Sequence, residues 1–107
     1  MKLITAVLPA SGFERVHEAL RTLGIPGVTV TTVFARGVGP AHDEVYRGTR
    51  RRVELQPAVR LDLVTPDADA PDIVHVIAVA GVRGSIWVTP VERVVRIRTR
   101  EWGETAL

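Results

Sequence analysis

Arg96, Arg98 and Arg100 stand two residues apart near the end of the sequence, and three arginines at that spacing define a chemistry before any fold is known. In an extended segment alternate side chains share a face. The three guanidinium groups would then form a row with steps of about 6.5–7 Å. Each planar fork binds phosphate oxygens in pairs, so the row suits the separate phosphates of a di- or triphosphate. A solvated strand face balanced by Asp67, Asp69 and Asp72 fits the same spacing, and the residues alone leave both readings open.

A second basic cluster, Arg50-Arg51-Arg52, follows closely on Tyr46-Arg47-Gly48. An aromatic and a cation in an otherwise polar stretch mark a partner contact, or a tyrosine folded back onto its own segment. The arginine cluster would attract acidic partners, phosphates or RNA. With two tryptophans and one tyrosine the chain has few platforms for stacking bases, and nucleic acid is not expected. His17, His42 and His75 lack the spacing of a metal pair and no cysteine assists them, so no metal site is expected. Asp43 and Glu44 would hold magnesium only with help from phosphate oxygens. Neither a Gly-x-Ser-x-Gly elbow nor a Walker loop is present, and Gly37-Val38-Gly39-Pro40 is a weak glycine match that proline disqualifies as a helix-capping phosphate loop. No catalytic residue is assigned.

These groups must be positioned by a chain of 107 residues, the size of one small domain with one core. It is 46% hydrophobic and 24% charged, with a mean hydropathy of +0.15, too apolar for disorder. The formal net charge is only +2. The pI near 9.9 reflects arginine, which is not deprotonated, in every basic position except Lys2. The absence of cysteine excludes disulfides and fits a reducing cytoplasm. No apolar run approaches the roughly 20 residues of a membrane span, so no membrane insertion is expected.

The pattern of residues predicts the elements. Leu3 to Leu8 reads as a buried strand closed by Pro9. Ser11 and Glu14 read as a capping box for a helix whose apolar stripe is Phe13, Val16, Leu20 and Leu23, stopped by Gly24 and Pro26. Val28 to Phe34 is a second strand. From Ala35 to about Pro57 glycines, a proline and charges break the periodicity, which predicts a protruding loop, with Val45–Tyr46 and Val53–Leu55 able to pair as a short ribbon. Val59, Leu61 and Leu63 alternate with Arg60 and Asp62, a half-buried strand. Pro71 opens a second helix, with Ile73, Val74, Ile77 and Ala80 inward and Gly81 at its end. Ile86 to Val88 and Val91 to Ile97 complete the extended segments. Two βαβ halves, each too small to bury its helix alone, predict an α+β ferredoxin-like βαββαβ sandwich, with both helices on one face of a four-stranded antiparallel sheet. The other face would be open or covered by another subunit. An acylphosphatase-type enzyme shares this element order, but the chain contains no asparagine to serve such a site.

His42-Asp43-Glu44-Val45-Tyr46-Arg47-Gly48, Val28-Thr29-Val30-Thr31 and Arg96-Ile97-Arg98-Thr99 together resemble the PII family of nitrogen-regulatory signal proteins, over essentially the whole chain. The resemblance implies a single domain over 1–107, with the family's T-loop at about 36–56, a shortened B-loop at about 81–85 and a C-terminal segment at 96–107. It implies a nonenzymatic homotrimer that binds ATP, ADP or AMP between subunits and regulates a transporter, enzyme or regulator through the T-loop. Carried over by position, Thr29 and the backbone around Val64 would hold adenine. Arg96 and Arg98 would take phosphates, with Gly37 beside them. Arg83 and Arg100 would add charge, and Tyr46, Arg47, Arg50, Arg51 and Arg52 would form the partner surface.

The chain also departs from the family. Gly39 stands where 2-oxoglutarate binders have glutamine and Ala58 where they have a basic residue, so 2-oxoglutarate is not expected to bind in the usual way. Arg51 replaces the tyrosine that some members have uridylylated. Val82-Arg83-Gly84-Ser85 is what remains of a B-loop with several glycines and a lysine, which implies weaker binding that favours ADP or AMP over ATP. A sensor of bicarbonate or another small anion, or a trimeric scaffold without nucleotide, are the alternatives.

Overall fold

The computed structural model describes residues 1–39 and 42–107, the side chains of residues 42–44, 46, 51 and 53 excepted. The elements run β1 (Lys2–Pro9), α1 (Phe13–Leu23), β2 (Thr29–Arg36), β3 (His42–Tyr46), β4 (Thr49–Val53), β5 (Leu55–Thr65), α2 (Ala70–Gly81) and β6 (Ser85–Pro90). Short 3-10 turns cover Ala10–Gly12, Asp67–Asp69 and Gly103–Ala106. The main sheet has the order β2-β5-β1-β6 and is antiparallel throughout. This is the predicted ferredoxin-like sandwich.

Alternation within the strands decides what is buried. Ile4, Ala6 and Leu8 of β1 and Val59, Leu61 and Leu63 of β5 turn toward the helices. Val16 and Leu20 of α1 and Ile73 and Ile77 of α2 close over them. The N-terminus of α1 differs from the sequence expectation. Ser11 lies inside the 3-10 turn, Gly12 occupies the N-cap and no side chain caps it, because the turn after Pro9 already carries the chain into helical geometry. At the other end Gly24 adopts φ +87° as expected, its N–H bonding to Arg21 O at 3.0 Å and that of Ile25 to Leu20 O at 3.1 Å.

The uncovered sheet face is not uniformly solvated. Thr5, paired with Asp62 on β5 and Trp87 on β6, is fully buried. Its hydroxyl donates to Asp62 Oδ1 at 2.7 Å while Arg60 Nε donates to Oδ2 at 3.0 Å. Burial raises the Asp62 pKa, but the hydrogen bonds from Arg60 and Thr5, with the Arg60 charge, outweigh it and hold the carboxyl below 3.8. Because the folded value is the lower one, this group's contribution is present above pH 3.8 and is lost as pH falls through the folded value. The melting midpoint of the native chain should therefore fall more steeply below that pH than that of Asp62→Asn, and parallel acid profiles would contradict the network.

β3 and β4 form a separate two-stranded ribbon, with Asp43 opposite Arg52, Glu44 opposite Arg51 and Val45 opposite Arg50. A ribbon was expected in this stretch. The observed one has another register, Val45 and Tyr46 pairing with Arg50 and Thr49 and not with 53–55, because the chain turns at once at Arg47 and Gly48, both at positive φ. It stretches the molecule to 59 × 26 × 21 Å with a radius of gyration of 16.8 Å, against about 13 Å for a compact chain of this length.

The extended reading of Val91 to Ile97 does not hold. Val91 N–H still bonds to Met1 O at 3.0 Å, but beyond Pro90 the one β-bridge among the described residues joins Val95 and Trp102. Arg96 N–H bonds to Glu101 O at 3.0 Å and Arg100 N–H to Arg96 O at 2.7 Å. The segment closes on itself as a tight turn with Arg100 at φ +61°, so the stretch from Val95 to Arg100 finds its partners a few residues away and not on the sheet.

Candidate functional site

This turn alters the phosphate-binding row. Arg96, Arg98 and Arg100 do not lie along one strand, and the even 6.5–7 Å comb is not formed. Arg96 turns inward to the main chain of the last residues, its Nε donating to Ala106 O at 3.2 Å and its Nη2 to Leu107 O at 3.0 Å. Arg98 and Arg100 are exposed around the tip of the turn.

The base-binding candidates do meet. Thr29 and Val64, with Asp62 and Gly27, line an open depression of about 390 Å³ beside the start of β2. Thr29 is exposed, Val64 half-buried, and Thr29 sits opposite Asp62 in the ladder. Val64 and Gly27 also line a neighbouring depression of about 590 Å³ that Leu107 borders. Arg96 is thus tied through Leu107 to the same end of the molecule. Thr29, Val64 and Arg96 form one set.

Gly37 and Arg83 belong to a second set at the other end. Gly37, at φ +89°, follows β2 directly where the ribbon departs. Two residues on, a Cβ added to Gly39 would lie 2.8 Å from Gln56 Oε1 and 3.9 Å from Arg83 Nη1. The turn between α2 and β6 therefore reaches the root of the ribbon. Arg83 also lines a cavity of about 240 Å³ with Val7, Gly84 and Ser85. Its backbone is held by a 2.7 Å bond from its own N–H to Gly81 O, next to Val82 at φ +64°. Gln56 was not singled out from the sequence. No motif carries it, and only the pairing of Gln56 with Ala35 brings it under Gly39.

On the ribbon, Arg47, Arg50 and Arg52 are exposed, as a partner surface requires. The side chains of Tyr46 and Arg51 lie outside the described residues. His17 stacks on Phe13 with ring centroids 5.3 Å apart and His75 is exposed. Among the described residues no three His, Asp or Glu side chains gather as a metal site would need. No helix among them is long and apolar enough to cross a membrane.

With this geometry described, comparison with known proteins is decisive. The family model for nitrogen regulatory protein P-II matches residues 1–101. The chain belongs to the P-II family of nitrogen-regulatory signal proteins. Over its whole length, and the whole of each relative, it is 37% identical to nitrogen regulatory protein GlnK of Escherichia coli strain K12. It is 38% identical to nitrogen regulatory protein P-II of Azospirillum brasilense and 36% to that of Rhizobium meliloti strain 1021. The alignment to GlnK runs over 112 positions against 107 residues here, so at least five positions (112 − 107) have no counterpart in this P-II chain.

Proposed function

We propose that this P-II protein is a nonenzymatic homotrimer that binds an adenine nucleotide between subunits and regulates a protein partner through the ribbon, which is its T-loop. The observation that carries the reading is the separation of the two residue sets. Thr29 pairs with Asp62 and Arg36 with Leu55, seven steps along the ladder, or roughly 23 Å at 3.3 Å per residue. One nucleotide cannot span both sets within a chain, but it can where the Thr29–Val64–Arg96 end of one copy meets the Gly37–Arg83 end of another. Exposed apolar side chains on the sheet strands, Val30, Phe34, Trp87 and Val88, support such association. Adenine rests against Thr29 and the Val64 backbone, and phosphates are taken by Arg96, Arg98 and Arg100 of one copy and Arg83 of the next. Phosphate contacts at the ribbon's root then favour one ribbon conformation, and partner affinity follows that population. The protein works in the cytoplasm, without inserting into a membrane.

With only Val82, Arg83 and Gly84 between α2 and β6, few groups can wrap a terminal phosphate, and ADP or AMP is preferred over ATP. Calorimetry with ATP, ADP, AMP and cyclic AMP tests this. Arg98→Ala should bind the preferred nucleotide at least about tenfold more weakly, the loss of one charge-assisted contact, with an unchanged oligomeric mass. Unchanged affinity would remove Arg98 from the site, and no binding of any nucleotide would leave a trimeric scaffold. A second reading, a small-anion effector such as bicarbonate bound together with ADP or AMP, is favoured by the Gln56 amide and Arg83 guanidinium flanking Gly39. Repeating the titrations with bicarbonate and with 2-oxoglutarate tests it: bicarbonate should tighten nucleotide binding and 2-oxoglutarate should not.

A further inference from the structure

The guanidinium of Arg96 holds two ligands from its own chain, the main-chain oxygens of Ala106 and Leu107. The donors, Nε and Nη2, form one edge of the planar fork, with parallel N–H groups that match two oxygens of a phosphate or carboxylate. Further contacts hold the tail there. Thr105 Oγ1 donates to Trp102 O at 2.7 Å, and Leu107 N–H to Glu104 O at 3.1 Å. Ala106 is buried, and Leu107 borders the depression that Leu23 and Ile73 also line. Upstream, Trp102 is bridged to Val95, with the Arg93 guanidinium 4.9 Å above its ring.

We propose that residues 103–107 are a built-in competitor of phosphate for Arg96, and that nucleotide binding releases them. The proposal rests on the nucleotide reading above and adds a regulatory part to that site. The Ala106 oxygen is a neutral acceptor and the Leu107 oxygen shares the single charge of a terminal carboxylate, whereas a diphosphate brings two or more charges and binds a guanidinium more strongly. The anion therefore displaces the tail, at a cost. Apparent affinity is reduced by the fraction of time the edge is open; a tail closed about nine times in ten weakens binding about tenfold. Release would uncover Ala106 and Leu107 beside Val64, so occupancy of the site becomes visible at the far end of the chain.

Calorimetric ADP titrations of three forms test this: the full chain, a chain ended after Gly103, and Gly103→Val. Gly103 sits at φ +68° with nothing within 4 Å of an added Cβ, so a β-branched valine there acts first by straining the left-handed backbone of the turn. Both variants keep residue 103, whose N–H bonds to Val94 O at 3.0 Å, and with it the Val95–Trp102 bridge and the Arg93 stack. Each should bind ADP about five- to tenfold more tightly than the full chain. Saturating ADP should also speed amide exchange at residues 104–107 of the full chain. The shortened chain decides the matter, or Gly103→Val if the former fails to melt cooperatively. Equal or weaker binding would overturn the competition, and the nucleotide reading would survive if the full chain binds ADP and Arg98→Ala binds it at least about tenfold more weakly. Absence of ADP binding by all folded forms would overturn both.

Discussion

Gly84→Ala is expected to abolish cooperative folding. A Cβ at this position would run into the carbonyl oxygen of Val7 and lie 3.0 Å from Leu8 Cα, at a backbone φ of +115°. Both neighbours are main-chain atoms of β1, which is central in the sheet and pairs with both β5 and β6, so neither can give way alone. The expected loss is at least about 4 kcal/mol, most of the stability of a small domain. Gly24→Ala is the control. Its φ is +87° but nothing lies within 4 Å of the added Cβ, so only the left-handed backbone is penalised, by about 1–2 kcal/mol. Thermal melts of the two variants should differ sharply. A Gly84→Ala protein as stable as the control would mean that the turn does not press on β1. The functional stake is direct, because that turn carries Arg83 to the root of the ribbon.

Leu20→Ala should give the next largest loss. Leu20 is 1% exposed, lies where α1 packs on the sheet and against α2, and accepts the Ile25 N–H that fastens the helix end. Truncation removes its apolar contacts and leaves a cavity that a two-helix layer cannot refill, at a cost of about 2–5 kcal/mol. At about 4–8 °C per kcal/mol the midpoint should fall by roughly 10 °C or more. Melts must be compared at equal protein concentration, because association of copies adds to apparent stability. A shift under about 2 °C would show that the helix layer is not packed as described.

The core was legible because burial imposes a period. Val59, Leu61 and Leu63 at alternate positions, and Val16 with Leu20 on one helical stripe, allow few other arrangements. That Thr29 and Val64 line one depression follows from strand register, and only family resemblance names them together, since one threonine and one valine make no motif. The arginine row was misread for a physical reason. Alternation from Val95 to Arg100 is necessary for a strand but not sufficient, and without a ladder to join, the segment closed into a turn through bonds between Arg96, Arg100 and Glu101. The capping box failed similarly, as a 3-10 turn after Pro9 took over the work that Ser11 was expected to do. Gln56 was hidden because its position depends on strand register, which no local pattern encodes.

The ribbon's register has a further consequence. Ordering a backbone costs about 1–2 kcal/mol per residue, and a loop that is shapeless until captured must meet that cost during capture. Here β3 and β4 are already laddered over five successive backbone pairs, His42–Val53 to Tyr46–Thr49, so a binding partner would meet a stiffened arm in place of a loose tether. Such an arm is selective through shape as well as charge. A change that merely unzipped it, touching no residue at the contact, would weaken capture by restoring the entropy that the ladder had removed.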